Sequence, residues 1–476
     1  MSEFFEAVEN AIIEHWLKII ILILIFFAWK FNLEKEILSF IGAMILGRLA
    51  WIVWVHYVQQ DFISGIEFVL LEIIPPRDVL RNPRAMELFI SNALYHFSYK
   101  GGKEEYWQGA VWFWFSLEIV SLEGQVHFYI RTPSRLRSLI ETQMYAQYPQ
   151  SQVKVVEDYT LAVDEITPQS SWNAWGCEFG LLKPEAYPIK TYIDYALDKD
   201  PEEELKVDPI SPVIEFFGSL GKGEQAWVQF IITPSKKMYH THGTWFGEHD
   251  WIEEAKNELI KLLKPYTSRR TRGEPTGPGD LGKEARIEIR TPSILDRATK
   301  AMSAKTSKLG FETGVRVIYV AKKEIYPFGT RTNASRNIRL IFRQYEAPDV
   351  NGFTRINSAQ GDALNSSVLT LSSRQVMILA NRKLHEYRER EFFHLPLRHH
   401  IFSIHVFETI FPKPIIHAIF MTLIKPFFLP FQHMQTFVLN TEELATLWHF
   451  PGQILKVPTL ERIESKEASP PTNLPT

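Results

Sequence analysis

Residues 117–134 read LEIVSLEGQVHFYIRTPS, in which two runs of β-branched, aromatic and aliphatic residues flank the pair Glu123-Gly124. A glycine between two such runs is a hairpin signal, because glycine adopts the positive φ angles that tight turns require. The pair Thr132-Pro133 then ends the second run and favours the start of a helix. The stretch therefore predicts a β-hairpin that leads into a helix through about Gln147.

The sequence on both sides of this hairpin completes a longer pattern. Residues 66–74 (IEFVLLEII) are β-branched and aliphatic and are followed by two prolines, which indicates a strand. Asn82-Pro83 has the residue types that cap and open a helix, and Gln152 to Asp158 is expected to be a closing strand. The order βαββαβ predicts a ferredoxin-like module over residues 62–160.

Parts of this pattern recur later in the chain. The pentapeptide Ile130-Arg131-Thr132-Pro133-Ser134 returns letter for letter at residues 289–293, each time where a strand is expected to lead into a helix. Residues 211–217 (SPVIEFF) echo residues 82–89 (NPRAMELF). Two matches in the same order indicate a duplicated unit, so we predict a second ferredoxin-like module over residues 175–325.

This second module is expected to end with a strand at Gly314 to Lys322 and to carry an insertion over residues 234–283. Within the insertion, the apolar residues between His249 and Leu263 recur at helical spacing, which predicts an amphipathic helix. The residues that follow are rich in arginine, glycine and proline, a composition typical of a loop.

The rest of the chain is predicted to be a mostly helical C-terminal region, residues 326–464, followed by a flexible tail, residues 465–476. The stretch from His400 to Val438 is very apolar, but prolines divide it into pieces shorter than a membrane crossing. We interpret it as buried or membrane-surface helices, with a membrane span as the alternative.

Residues 1–60 are predicted to anchor the chain in a membrane. Ile12 to Trp29 is mostly apolar with tryptophans near both ends, and Ile37 to Val58 is about as long as a crossing. We expect a transmembrane hairpin, with one crossing plus an interfacial helix as the alternative, because Arg48 is costly inside a bilayer. A cleavable signal peptide fits less well, since acidic residues precede the apolar core. A slight positive-inside bias predicts a cytosolic body at the inner membrane.

The overall composition bounds the remaining possibilities. The 476 residues are enough for several cores, and the net charge of −3 gives no global reason to expect a nucleic-acid or anionic-lipid partner. The lone Cys177 excludes an intrachain disulfide, which suits the cytosol.

Motifs that would carry catalysis are missing from the sequence. A phosphate-binding loop needs GxxxxGK[ST], and the nearest approach, Gly218 to Gly223, has the wrong spacing and lacks the hydroxyl. No serine lies in a GxSxG elbow, and Cys177 has no local sign of activation. We therefore predict no catalytic residue and no cofactor.

Two weak candidate sites stand out in the insertion. Alternate histidines on a strand project to one side, so His240, His242, His249 and Asp250 could bind a metal ion, although a solvated loop is the more ordinary explanation. The second candidate is a basic loop that could grip phosphates of a nucleic acid, formed by Arg269, Arg270 and Arg272. Short basic loops are more often simply solvated.

Several segments resemble a known family. LLEIIPPRD (70–78), NPRAME (82–87), LEIVSLEGQVHFYIRTPS (117–134) and YAQYPQSQV (145–153) are similar to the N-terminal, membrane-proximal region of bacterial type IV secretion and conjugation ATPases. The segment FVLNTEELATLWHFPG, residues 437–452, resembles the connector that leads into their motor domain, and it is followed by VP and PPTNLP motifs.

In that family the connector is followed by a Walker-type ATPase domain, whose motifs this sequence lacks. The resemblance therefore implies a non-enzymatic scaffold or adapter that assembles with copies of itself and with a separate motor ATPase at the membrane. Two other kinds of function stay open at this point, namely a membrane-bound metal-dependent hydrolase and a membrane-tethered nucleic-acid-binding protein.

Overall fold

The computed structural model describes residues 34–76, 82–96, 101–199, 207–235, 239–240, 248–264, 267–269, 287–289, 293–326, 337–338, 340–356, 373–390, 393 and 436–452. The chain divides into two compact units. The smaller unit comprises residues 1–65 and 100–111, and the larger unit comprises residues 66–99 and 112–476.

The helices in the described ranges are α1 (Glu34–Ser64), α2 (Pro83–Phe89), α3 (Gly102–Tyr106), α4 (Arg137–Gln147), α5 (Ser211–Gly218), α6 (Trp251–Leu263), α7 (Ser293–Thr306), α8 (Ser373–Glu389) and α9 (Thr441–Leu447). The strands are β1 (Phe68–Ile74), β2 (Phe115–Leu122), β3 (Gln125–Pro133), β4 (Gln152–Val156), β5 (Trp172–Leu181), β6 (Glu224–Pro234), β7 (Tyr239–His240), β8 (Glu248–His249), β9 (Thr267–Arg269), β10 (Ile287–Ile289), β11 (Gly310–Lys322), β12 (Phe353–Ile356) and β13 (Phe437–Asn440).

The smaller unit is built from α1 and α3. The loop after α3 approaches α1 closely at Gly109, where φ is +67° and a Cβ atom would lie 2.0 Å from the carbonyl oxygen of Val58. Among the residues that the structure describes, no helix combines the length and the apolar character needed to cross a membrane. The first predicted crossing, Ile12 to Trp29, lies outside the described residues, and the second falls within α1.

The larger unit is organised around a nine-stranded sheet with the order β12-β5-β11-β6-β2-β3-β1-β4, in which β13 also pairs with β11. Its strand pairings are antiparallel. Because helices pack on this sheet, the prediction of an α+β chain is confirmed.

In the first half of the sheet, the elements follow the predicted order strand, helix, strand, strand, helix, strand. The turn residues Glu123 and Gly124 have φ angles of +53° and +90°, as the hairpin signal required. Asn82 precedes α2, which passes into a π-helical turn, Ile90–Leu94. The strand β3 continues to Pro133, so the following helix α4 begins only at Arg137.

The second half corrects the prediction drawn from the repeated pentapeptide. Ile289 ends β10, which pairs only with β9 in a separate two-stranded sheet among the described residues. The strand predicted to close the second module is β11, and it lies between β5 and β6 rather than at an edge. The reason is visible in β11, whose residues are buried on both faces as a central strand requires.

Helices cover both faces of the sheet. One face packs against α2, α4, α5 and α9 in a large apolar core. The other face packs against α8 and the 3-10 turn Tyr159–Ala162. The C-terminal region, predicted to be mostly helical, also supplies the sheet strands β12 and β13. Most of His400 to Val438, and the tail at 465–476, lie outside the described residues.

Candidate functional site: a buried ion-pair network beneath α8

A row of polar side chains crosses the middle of the sheet on the face that α8 covers. Glu118 of β2 is the direct neighbour of Gln229 on β6, and Gln229 is the neighbour of Arg316 on β11. Arg316 in turn lies beside Glu178 on β5. All four residues are fully buried. Buried charges of this kind persist only when they are paired, because desolvation of an isolated charge is very costly.

The helix α8 supplies the partners for this row. Lys383, Glu386, Tyr387 and Arg390 occupy positions i, i+3, i+4 and i+7, which brings their side chains to one face. The Lys383 Nζ atom lies 2.8 Å from Oε1 of Glu178 and 2.9 Å from Oε2 of Glu386. Arg316 donates to the backbone oxygen of Glu386 at 2.6 Å. The sheet and the helix therefore share one set of charges.

Arg390 closes the network at the end of α8. Its Nε and Nη2 atoms lie 2.7 and 3.2 Å from the two carboxylate oxygens of Glu118. Its Nη1 atom lies 2.5 Å from Oδ2 of Asp158. The backbone of Arg390 has φ +53°, a left-handed conformation that commonly ends helices but usually employs glycine. The guanidinium contacts with two carboxylates offset the cost of this conformation.

Two tyrosines fill the remaining hydrogen-bonding positions around Glu118. The hydroxyl of Tyr159 donates to Oε2 of Glu118 at 2.8 Å and lies 2.8 Å from the hydroxyl of Tyr387. Ser116 and Gln229 donate to the other oxygen, Oε1, at 2.6 and 3.1 Å. Glu118 is thus surrounded by donors on both oxygens.

The pKa values of Glu118, Glu386 and Tyr159 move away from neutrality. Burial opposes the ionisation of Glu118, but the adjacent Arg390 guanidinium holds the pKa of that carboxyl below its usual range. Burial has the same effect on Glu386, and the nearby charges of Lys383 and Arg316 overcome it, lowering its pKa to about 2. Burial, together with the charge of Glu118, raises the pKa of Tyr159 well above its usual value. General acid–base catalysis uses groups with a pKa near the working pH, and these shifts run in the opposite direction.

A second buried cluster holds the segment 437–452 against the same unit. The Nζ atom of Lys305 in α7 lies 3.1 Å from Oε2 of Glu443 in α9, and both side chains are fully buried. Asn440 and Glu443 form a reciprocal capping box at the start of α9. Lys308 lies 2.7 Å from Glu87 in α2 and 2.8 Å from Glu442. The segment that resembles a connector is therefore packed into the core of the larger unit.

The indole of Trp448 ties this segment to the sheet. Its ring is fully buried and packs on Phe128 and Phe450, with centroid distances of 5.8 and 5.7 Å. Its Nε1 atom donates to the backbone oxygen of Glu118 at 3.2 Å. Glu118 consequently contacts the α8 network through its side chain and the C-terminal segment through its backbone oxygen.

The predicted metal-site residues lie partly within the described chain. His240 pairs with Glu248, and His249 pairs with Tyr239, in the short ribbon of β7 and β8. The Asp250 carboxylate caps α6, accepting from the backbone N–H groups of Ile252 and Glu253. His242 lies outside the described residues. No group of three or more potential ligands in the described part of the chain is placed to hold a metal ion.

The predicted basic loop is only partly described. Arg269 ends β9 and pairs with Ile287 of β10, whereas Arg270 and Arg272 lie outside the described residues. Nucleic-acid contact at this loop stays a prediction. Cys177 is buried in β5.

Sequence reasoning missed the network, although a signal was present. Each of the four strands contains an apolar run that is interrupted by one charged or amide residue, as in LEIV, WVQFII, GVRVIY and GCEFG. A lone polar residue in a strand that is otherwise buried on both faces predicts a buried polar contact. What the sequence could not supply was the register that places the four side chains side by side.

Comparison with known proteins identifies the family of this chain. A family model described as a domain of unknown function (DUF8128) matches residues 114–390, more than half of the chain, and the chain belongs to that family. No curated protein matches the chain. The matched range ends at Arg390 and contains every member of the buried network, whereas β1 and the segment 437–452 lie outside it.

Proposed function

We propose that this chain is a non-enzymatic, membrane-anchored scaffold or adapter of a type IV secretion or conjugative DNA-transfer-like machine, where it assembles with copies of itself and with a motor ATPase. The observation that carries the proposal is the buried network. Its three fully or nearly buried carboxylates, Glu118, Glu178 and Glu386, contact three buried cations, Arg316, Lys383 and Arg390. A balanced set of charges favours a fixed arrangement over proton exchange near neutral pH.

The network also spans the place where two halves of the sheet meet. The strands β4-β1-β3-β2 and β12-β5-β11-β6 each form a four-stranded half, and β2 pairs with β6 between them. We take these halves as two ferredoxin-like units, the second with a long connection between β6 and β11. Glu118 and Gln229 lie on opposite sides of the junction and hydrogen-bond across it.

The membrane part of the proposal rests on the apolar stretch Ile12 to Trp29 and on the resemblance to the membrane-proximal region of secretion ATPases. The bulk of the chain would then lie in the cytosol at the inner membrane, where a motor subunit could dock. Assembly rather than chemistry is the activity to test.

The test is to extract the tagged full chain from native membranes in mild detergent after brief chemical cross-linking. The mass of the purified particle and the identity of its subunits are then measured by light scattering and quantitative mass spectrometry. We expect more than one copy of the chain per particle and a reproducible ratio to one ATPase subunit. A matched sample prepared from cells that express an untagged chain controls for non-specific capture.

The proposal fails if the chain is released into the aqueous phase when cells are broken without detergent. It also fails if the extracted protein is monomeric and free of any ATPase. Stoichiometric metal that is lost on His240→Ala would instead favour a metal-dependent hydrolase, and salt-sensitive DNA binding that is lost on Arg269→Ala would favour a nucleic-acid-binding protein.

A further inference from the structure

The smaller unit exposes a group of large aromatic side chains. Trp51, Trp54 and Tyr57 on α1 are 46%, 38% and 65% exposed, and Trp107, just after α3, is 62% exposed. Soluble proteins rarely leave several large apolar side chains together on their surface without a partner that covers them. These four residues are referred to below as the aromatic patch.

The aromatic patch is formed by two separate stretches of the chain. The ring of Trp54 lies 5.7 Å from that of Trp107 in an edge-to-face arrangement, and 6.4 Å from that of Tyr57. The Nε1 atom of Trp54 donates to the backbone oxygen of Tyr106 at 3.1 Å, so α3 is held against α1 by a specific hydrogen bond. The patch is therefore an organised surface and not a set of scattered residues.

An exposed stripe continues from the patch along α1. Ala43, Leu46, Gly47 and Ala50 are exposed and precede the patch at three- and four-residue spacing, which places them on the same side of the helix. The stripe is small and aliphatic towards the N-terminus of α1 and aromatic towards its C-terminus. The apolar stretch Ile12 to Trp29 ends shortly before α1 begins.

The residue types point to a lipid surface as the partner. Tryptophan and tyrosine are enriched where a membrane meets water, because their rings are apolar and their N–H or O–H groups still reach polar partners. The polar residues of α3 beside the patch are Lys103, Glu104 and Glu105, whose charges sum to −1. We therefore expect this surface to bind lipid by inserting its aromatic rings among the headgroups, and not by attraction to anionic headgroups.

We infer that the aromatic patch lies in the headgroup region of a phospholipid bilayer and sets the depth and tilt of α1 there. This inference rests on the proposed function, because it requires the chain to be at a membrane. It adds a contact from residues 102–107, a stretch that the sequence alone did not connect with the membrane.

The experiment uses the full chain with Cys177→Ala, reconstituted into phosphatidylcholine vesicles. Trp107→Cys is labelled with an environment-sensitive fluorophore, and Tyr57→Cys provides a second position in case the first disturbs folding. Leu161→Cys, a position 74% exposed in the larger unit, is the matched control. Lipids that carry a quencher either near the headgroup or deep in the acyl chain report the depth of each label.

We expect the labels at positions 107 and 57 to lose most of their fluorescence to the shallow quencher and little to the deep quencher. The extent of quenching should be the same in vesicles with added phosphatidylglycerol. Labels that stay unquenched, like the control at 161, on protein that floats with the vesicles would overturn this inference and leave membrane anchoring intact. Strong quenching by the deep lipid alone would overturn it as well. Protein that fails to float with the vesicles would overturn the proposed membrane anchoring together with the inference.

Discussion

The Nε atom of Arg390 lies 2.7 Å from Oε1 of Glu118, although 272 positions separate the two residues along the chain. Both side chains are buried, and the contact joins the end of α8 to a central strand of the sheet. Because Glu118 also bonds Gln229 across the junction of the two halves, this one ion pair connects three parts of the fold.

Arg390→Gly should strongly destabilise the larger unit. Glycine readily adopts the left-handed backbone conformation at this position, where φ is +53°. The loss of stability would therefore come from removal of the side chain and not from backbone strain. Removal of one partner of a buried ion pair leaves the other charge uncompensated, at a typical cost of about 3–5 kcal/mol. Chemical denaturation of the full chain in mild detergent, followed by tryptophan fluorescence, measures the change in the free energy of unfolding.

The control for this substitution is Arg137→Ala, which removes a half-exposed guanidinium paired with Glu141 on the surface of α4. Exposed pairs of this kind contribute less than about 1 kcal/mol. Equal effects of the two substitutions would mean that the network does not hold α8 in place.

Glu386 gives the fold a predictable dependence on acid. An unfolded glutamate titrates near 4.5, whereas the pKa of Glu386 in the folded chain is lowered to about 2 by Lys383 and Arg316 against the opposing effect of burial. Between these pH values the unfolded chain binds a proton that the folded chain does not, so stability decreases as the pH falls. Above pH 4.5 the contribution is fully present.

The measurement is the free energy of unfolding of the native chain and of Glu386→Gln across this acid range. The difference between the two proteins should be largest above pH 4.5 and should shrink towards pH 2. A difference that stays constant with pH would show that Glu386 does not ionise differently in the folded and unfolded chain.

Trp448→Ala should show that the segment 437–452 belongs to the core. The indole is fully buried and its Nε1 atom bonds the backbone of Glu118, so truncation removes a large packed ring and a hydrogen bond. Such truncations typically cost about 3–5 kcal/mol. Trp448→Phe keeps an aromatic ring at this position and should lose distinctly less stability than Trp448→Ala, as measured by the denaturation midpoint. A loss below about 1 kcal/mol for the alanine variant would contradict the packing described for this segment.

Gly109→Ala should detach the residues after α3 from α1. The positive φ at Gly109 disfavours any side chain, and the new Cβ atom would lie 2.0 Å from the carbonyl oxygen of Val58. Limited proteolysis between residues 101 and 111 should become faster in this variant. Gly101→Ala is the matched control, because φ is −72° there and nothing lies near its added Cβ atom. Unchanged proteolysis of Gly109→Ala would contradict the close approach.

The local signals in the sequence predicted the first half of the sheet well. The turn at Glu123-Gly124, the helix start at Asn82-Pro83 and the amphipathic helix α6 depend on residues near one another in the chain, and each is found within a few residues of its predicted place. The pairing of β11 with β5 and β6 depends on residues far apart in the chain. A shared pentapeptide was too short to specify that pairing, and it misplaced the third strand of the second half.

The network escaped prediction for the same reason. Lys383, Glu386 and Arg390 belong to a charged stretch that resembles a solvated helix when considered alone. Only the sheet register shows that the side chains of Glu178 and Glu118 are buried where they contact Lys383 and Arg390. Catalytic and binding groups are common in loops, which is where the sequence predicts the metal-site and arginine residues, whereas the charged residues of the network that belong to the sheet lie inside strands.

The scaffold proposal is tested most directly by measuring ATP turnover. The purified full chain in vesicles is assayed first alone and then after addition of the ATPase subunit that co-purifies with it. We predict no turnover above the detergent blank for the chain alone, and ATPase activity that becomes associated with vesicles only when the chain is present. Hydrolysis of ATP by the chain alone, or an ATPase that binds the vesicles equally well without it, would contradict the proposal.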